Sequence, residues 1–137
     1  INPLTYKIIK QNVDNFKDFH RSFGLMQAEE ALKKIGSLVL DGVTDVDRAG
    51  RVGDNEFAVI LPEKNKRQSI DMGEEIRKKI EQIFSEEKNS RKRITCSLAI
   101  TENPVDGLSA QELITKAEEI LKTAVEQGGN KVCYKLQ

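Results

Sequence analysis

The stretch EFAVIL, Glu56–Leu61, constrains the chain most: six residues rich in β-formers, closed by Pro62 and entered through the polar turn Gly53-Asp54-Asn55. A run this short that ends at a proline reads as a strand, because proline cannot donate to a ladder. With DRAGRVG, Asp47–Gly53, just upstream, the pair reads as a β-hairpin. A lone hairpin is marginal in water, so the remaining sequence has to supply more strands and apolar helix faces.

It does so in a definite order. In LTYKIIK, Leu4, Tyr6 and Ile8 alternate with Thr5 and Lys7, and Ile9 adds apolar character, the pattern of a mostly buried strand. Phe16, Phe19 and Phe23 follow at helical spacing and stop at Gly24; Leu25, Ala28, Leu32, Ile35 and Val39 then mark one face of a longer helix ending near Gly42. Met72, Ile76, Ile80 and Ile83 mark another helix, SEEKNSRKR a solvated loop, and ITCSLAI a strand. Ser109 with Glu112 predicts a capping box ahead of Leu113, Ala117, Ile120, Leu121 and Ala124. Gly128-Gly129 stops that helix, and KVCYKL is a closing strand. The order β-α-α-β-β-α-β-α-β predicts an α+β fold: a mainly antiparallel sheet of about five strands flanked by helices, with the helices covering one face.

Several function classes are excluded by composition. At 137 residues the chain is one domain, able to bury a core without disulfides or a structural metal. Basic and acidic residues balance at 22 each, which leaves no broad attraction for nucleic acid or an anionic membrane. Cys96 and Cys133 lack metal-ligand spacing, so a reduced, cytoplasmic setting is expected. No apolar run reaches the roughly 20 residues needed to span a bilayer. Ile1–Gln11, interrupted by Pro3, Lys7 and Lys10, does not read as a signal peptide.

Asp14, Phe16 and Lys17 in NVDNFK, the hairpin RVGDNEFAVILP, the strand ITCSLAI and the ending AEEILKTAVEQGGNKV resemble, block by block and in order, the GGDEF domain of diguanylate cyclases. Residues 1–137 read as a single degenerate GGDEF domain. It lacks the family's leading helix and D-x-L-T-G-L-x-N-R turn, and the expectation is a piece excised from a longer multidomain protein. The resemblance implies a nucleotidyl-cyclase-like fold with a ferredoxin-like palm. It also implies a family chemistry in which two facing domains each hold one GTP, and divalent metal bridges the phosphates as cyclic di-GMP forms.

Position by position, the resemblance assigns roles that these residues fill poorly. The metal positions are Asn12, the Val13 carbonyl and Asn55, with amides where the family has two carboxylates, and an amide brings no charge to a hard cation. The signature reads Gly53, Asp54, Asn55, Glu56, Phe57, so that a side chain at Asp54 crowds a nucleotide where the family has glycine. The phosphate turn, Val13, Asp14, Asn15, Phe16 and Lys17, is kept. Val125 and Gly129 replace two cationic phosphate contacts, and His20 and Glu29 replace the guanine-reading pair. The product-inhibition motif reads Thr44 and Asp47, without its arginine.

No catalytic residue is expected to function. The leading expectation is a catalytically inactive signalling or protein-interaction module in a bacterial cyclic di-GMP-type regulatory protein. It would contact other domains of its chain or a protein partner, with a homodimer possible and without nucleic-acid or membrane contact. No cofactor is expected, and Mg²⁺ or Mn²⁺ would bind only with residual nucleotide. The alternatives are a sensor that binds GTP weakly without turnover, and an active cyclase in which Asp14, Asp54 or Glu56 substitutes as a ligand.

Overall fold

The computed structural model describes residues 6–135. Strand β1 (Lys7–Val13) leads to helix α1 (Phe16–Asp41), the hairpin β2 (Arg48–Gly53) and β3 (Glu56–Leu61), and helix α2 (Lys66–Ser85). Strand β4 (Cys96–Glu102), helix α3 (Ala110–Glu126) and the short β5 (Val132–Cys133) complete the α+β fold. The sheet order is β2-β3-β1-β4-β5. Pairing is antiparallel except where β5 lies parallel to β4.

Because β1 is central, Lys7–Gln11 are buried whichever way each residue points. Ile9 and Val13 pack with Phe57, Val59, Leu61, Leu98 and Ile100 against Phe16, Leu32 and Ile35 of α1 and Met72, Ile76 and Ile80 of α2. Opposite, Ala99 packs with Ala117, Ile120 and Leu121 of α3. Helices therefore cover both faces, not one. Periodicity within a helix shows that it has a buried side but not which side of the sheet receives it.

Other expectations shift in detail. Gly24, at φ 86 and ψ 172, breaks α1 into a short and a long segment, a backbone shape that glycine adopts without penalty. Leu25, just past that break, is 62% exposed, because the kink turns it off the buried stripe that Ala28, Leu32, Ile35 and Val39 keep. Ile83 is 40% exposed while Phe84 is buried, so the α2 stripe ends one residue later than expected. The capping box at Ser109 is half made: its Oγ accepts from Glu112 N at 3.1 Å, but the Glu112 carboxylate takes Leu108 N at 3.5 Å. A reciprocal box instead opens α2, where Asn65 and Gln68 satisfy each other's backbone amides. Among the described residues the closing strand pairs at Val132–Cys133; Leu4 and Thr5 of the expected first strand and Leu136 of the expected closing strand lie outside the described residues.

Candidate functional site

The C-terminal end of β1 gathers most of the predicted site. Antiparallel register sets Asn12 opposite Glu56 on β3 and Ser97 on β4, so strand pairing brings residues more than 40 positions apart to one spot. Beyond Val13 the chain turns into α1 through Asn15, which is left-handed at φ 54 and makes no side-chain cap. A cleft of about 450 Å³ opens there. It is lined by Asn12, Val13, Asp14, Asn15, Phe16, Lys17, Asn55, Val125 and Gly129 from the predicted set, together with Asp18, Arg21 and Gly128.

Asp14 is the structural knot of this cleft. Its Oδ2 accepts from Thr95 Oγ1 at 2.7 Å and from the Asn130 backbone N–H at 2.9 Å, and its Oδ1 accepts from Ser97 Oγ at 2.8 Å. One carboxylate thus ties the β1–α1 turn to β4 and to the α3–β5 turn. The same contact fixes Gly129: at φ +71, a Cβ there would stand 2.9 Å from the Asp14 carboxylate atoms. A side chain at position 129 would strain the backbone and push against the Asp14 carboxylate.

Asn55 closes the cleft from the hairpin. Its backbone oxygen accepts from Val13 N at 3.1 Å, and its side-chain Nδ2 donates to Val13 O at 3.2 Å. The Val13 carbonyl is therefore met by an N–H group. Beneath it, the Lys10 side chain is 2% exposed, with Nζ 3.2 Å from Glu56 Oε1, 3.4 Å from Asn12 Oδ1 and 4.0 Å from Glu118 Oε1. Among the described residues no three His, Cys, Asp or Glu side chains converge as a metal-binding group.

Residues 4–131 match the model of the diguanylate cyclase GGDEF domain. The chain belongs to the GGDEF family. It is 31% identical over 132 residues to the diguanylate cyclase VdcA of Vibrio cholerae, covering 91% of this chain and 38% of that protein. It is likewise 31% identical over 131 residues to the diguanylate cyclase DosC of Escherichia coli, covering 95% of this chain and 28% of the relative. It thus spans 28% to 38% of the length of these curated relatives.

Solved structures share the fold. The GGDEF domain of DgcB from Caulobacter crescentus in complex with c-di-GMP superposes with a TM-score of 0.85 at 22% identity, covering 95% of this chain and 77% of that one. The diguanylate cyclase SiaD in complex with its activator SiaC, from Pseudomonas aeruginosa, superposes with a TM-score of 0.85 at 21% identity, covering 96% and 50%.

The rest of the GGDEF signature sits on the hairpin tip. Asp54 is exposed, and its backbone oxygen accepts from Arg51 at 2.6 Å, while Gly53 O accepts from Arg51 Nε at 3.0 Å. A bulge between Arg51 and Gly53 supplies the extra twist that a tight turn needs. At Gly53 a Cβ would fall 2.6 Å from Glu56 Oε2, so this glycine leaves room for the side chain that Lys10 holds. Phe57 is buried in the core.

Besides the signature residues on the hairpin, four predicted positions lie outside this cleft of the GGDEF domain. Glu29 pairs with Arg51 at 3.4 Å across α1 and β2, and His20 is exposed in a shallow depression with Lys17, Arg21 and Gly24. Thr44 and Asp47 form a closed turn: Thr44 N and Oγ1 each donate to Asp47 Oδ2 at 3.0 Å, and Lys64 Nζ donates to it at 2.8 Å. Burial disfavours the Asp47 charge, but the bonds from Lys64 and Thr44 outweigh it and hold the carboxyl below its ordinary range.

Neither cysteine offers a reactive thiolate. Burial pushes Cys96 up to about 12, with Asp14 adding to the rise and the Gln11 bond at 3.2 Å opposing it. Burial also raises Cys133, against the pull of Lys131.

Sequence reading missed Lys10, Arg51 and Asn130. Lys10 was legible only as a charge in a buried strand, a placement that demands a partner, and Asn130 as a polar residue beside a double glycine. Arg51 was legible as the first residue of the hairpin block RVGDNEFAVILP, but not as the donor that holds its tip.

Proposed function

We propose that this GGDEF domain is catalytically silent and works as a signalling or interaction module of a cytoplasmic cyclic di-GMP-type regulatory protein. The observation that carries the reading is the Asn55 amide on the Val13 carbonyl at 3.2 Å. An oxygen that the family resemblance gives to a metal already accepts an N–H, and the neighbouring Asn12 oxygen faces an ammonium. Mg²⁺ and Mn²⁺ take oxygen ligands, with one or two carboxylates to offset their partial dehydration; two amides, one turned N–H toward Val13 O, and an ammonium do not fit them.

The substitutes that a working cyclase would need are engaged elsewhere. Asp14 is held by three hydrogen bonds and Glu56 by Lys10, while Asp54 is exposed on the hairpin tip. Restoring a cation at Gly129 would strain the turn and displace the Asp14 carboxylate. An interaction role accords with the related cyclase SiaD, solved in complex with its activator SiaC, and the output would pass to other domains of the chain or to a protein partner.

A second reading is favoured by the cleft itself: Lys17 and Arg21 line about 450 Å³ of space beside an uncapped helix start, where GTP could bind without turnover. Calorimetric titration of GTP and cyclic di-GMP, with and without Mn²⁺, separates the readings when the mixtures are also assayed for product. The interaction module gives no heat and no product. The sensor gives heat with GTP and a melting shift that grows with ligand concentration. Cyclic di-GMP made from GTP by the purified domain overturns both.

A further inference from the structure

The ammonium that faces Asn12 belongs to Lys10, a charge buried on the face of β1 that meets α3. Lys10 stands in the central strand, flanked by Ala58 on β3 and Ala99 on β4. Two alanines at its own register leave a corridor under α3 that the lysine stem fills, and the ammonium emerges among Glu56, Asn12 and Glu118. Burying a charge is costly unless it is paired and hydrogen-bonded. Here the pairing groups are those that surround the metal positions.

We propose that the Lys10 ammonium is the resident cation of this site, a tethered charge that excludes a divalent ion from it. An Mg²⁺ coordinated by Asn12 Oδ1 at about 2.1 Å would lie within about 5.5 Å of Lys10 Nζ, given its 3.4 Å contact to that oxygen. Like charges so close in a partly buried site repel strongly. The excess negative charge that would attract the ion is already neutralised at Glu56. An aspartate introduced at position 12 would pair with Lys10 before it could serve a metal, so lysine and metal are alternatives. This inference rests on the metal-free reading of the site and adds what enforces it.

The test uses Mn²⁺ alone, without nucleotide, so that it is independent of the assay for cyclic di-GMP. Calorimetry or Mn²⁺ electron paramagnetic resonance compares Asn12→Asp/Asn55→Asp with the same pair carrying Lys10→Met. The triple variant is expected to bind Mn²⁺ at least about tenfold more tightly than the double variant. Lys10→Gln in the same background keeps a polar partner for Glu56 and gives the same ranking if the methionine variant does not fold. Equal Mn²⁺ affinity in the double variant and the folded Lys10 variants, or no binding in any, overturns the proposal. Cyclic di-GMP production by the parent domain would overturn the silent-cyclase reading and this inference with it, whereas equal Mn²⁺ affinities overturn the inference alone.

Discussion

Toward the C-terminal end of β1 its two faces differ in chemistry. Toward α1 and α2 it presents Ile9 and Val13 to a continuous apolar cluster. Toward α3 the same strand presents Lys10 and Asn12, which with Asp14 just beyond its end form a set of hydrogen bonds and ion pairs. The difference teaches where this fold tolerates change. Burial energy on the first face is non-directional and depends on filled volume. On the second face each group depends on a specific partner, so substituting one residue changes the chemistry of several while the sheet stays in place.

The largest effect that would break the comparison belongs to the apolar face. Ile9→Ala, at a position with no exposure, should cost about 4 kcal/mol in urea unfolding, transfer and cavity combined. Asp14→Ala comes next: three donors lose their acceptor, and about 3 kcal/mol is expected. If Asp14→Ala were neutral, the polar face would be decoration and not a knot.

Asp47→Asn should cost about 1 to 2 kcal/mol at neutral pH, the worth of charge-assisted bonds from Lys64 and Thr44. The folded carboxyl lies below its unfolded value of about 3.9. Its contribution is therefore complete above that value and is lost as pH falls through the lower folded one. Unfolding curves of parent and variant, measured from pH 7 downward, should converge in that acidic range. A gap that widens there would reverse the assignment.

The smallest effect sharpens the contrast between buried and exposed polar contacts. Glu29→Gln breaks an ion pair whose members are 41% and 44% exposed, and its stability should change by less than about 0.5 kcal/mol. A thermal melt at low and high salt checks it.

Much of the fold was legible because periodicity is a local property. Phe57, Val59 and Leu61 alternate within one strand, and Leu113, Ala117, Ile120 and Leu121 recur within one helix; all are buried. Leu25 and Ile83 were misread because a kink at Gly24 and the end of α2 rotate the stripe, which depends on backbone shape beyond the window being read. The site positions were found from their place in the family pattern, and nine of them line one cleft. What surrounds them was not legible. Lys10 read as a polar interruption of a strand, although its partners Glu56 and Glu118 stand 46 and 108 residues away.

By itself, then, the sequence determined the order of elements, the membership of the core and the residues standing at each family position, because all three are written in local pattern and chain order. Tertiary structure alone decided that α3 covers the face opposite α1 and α2, that Asp14 is a tie between three segments, and that a lysine meets the oxygens around Asn12. Those outcomes depend on sheet register, which sets residues side by side across the strands regardless of their separation along the chain.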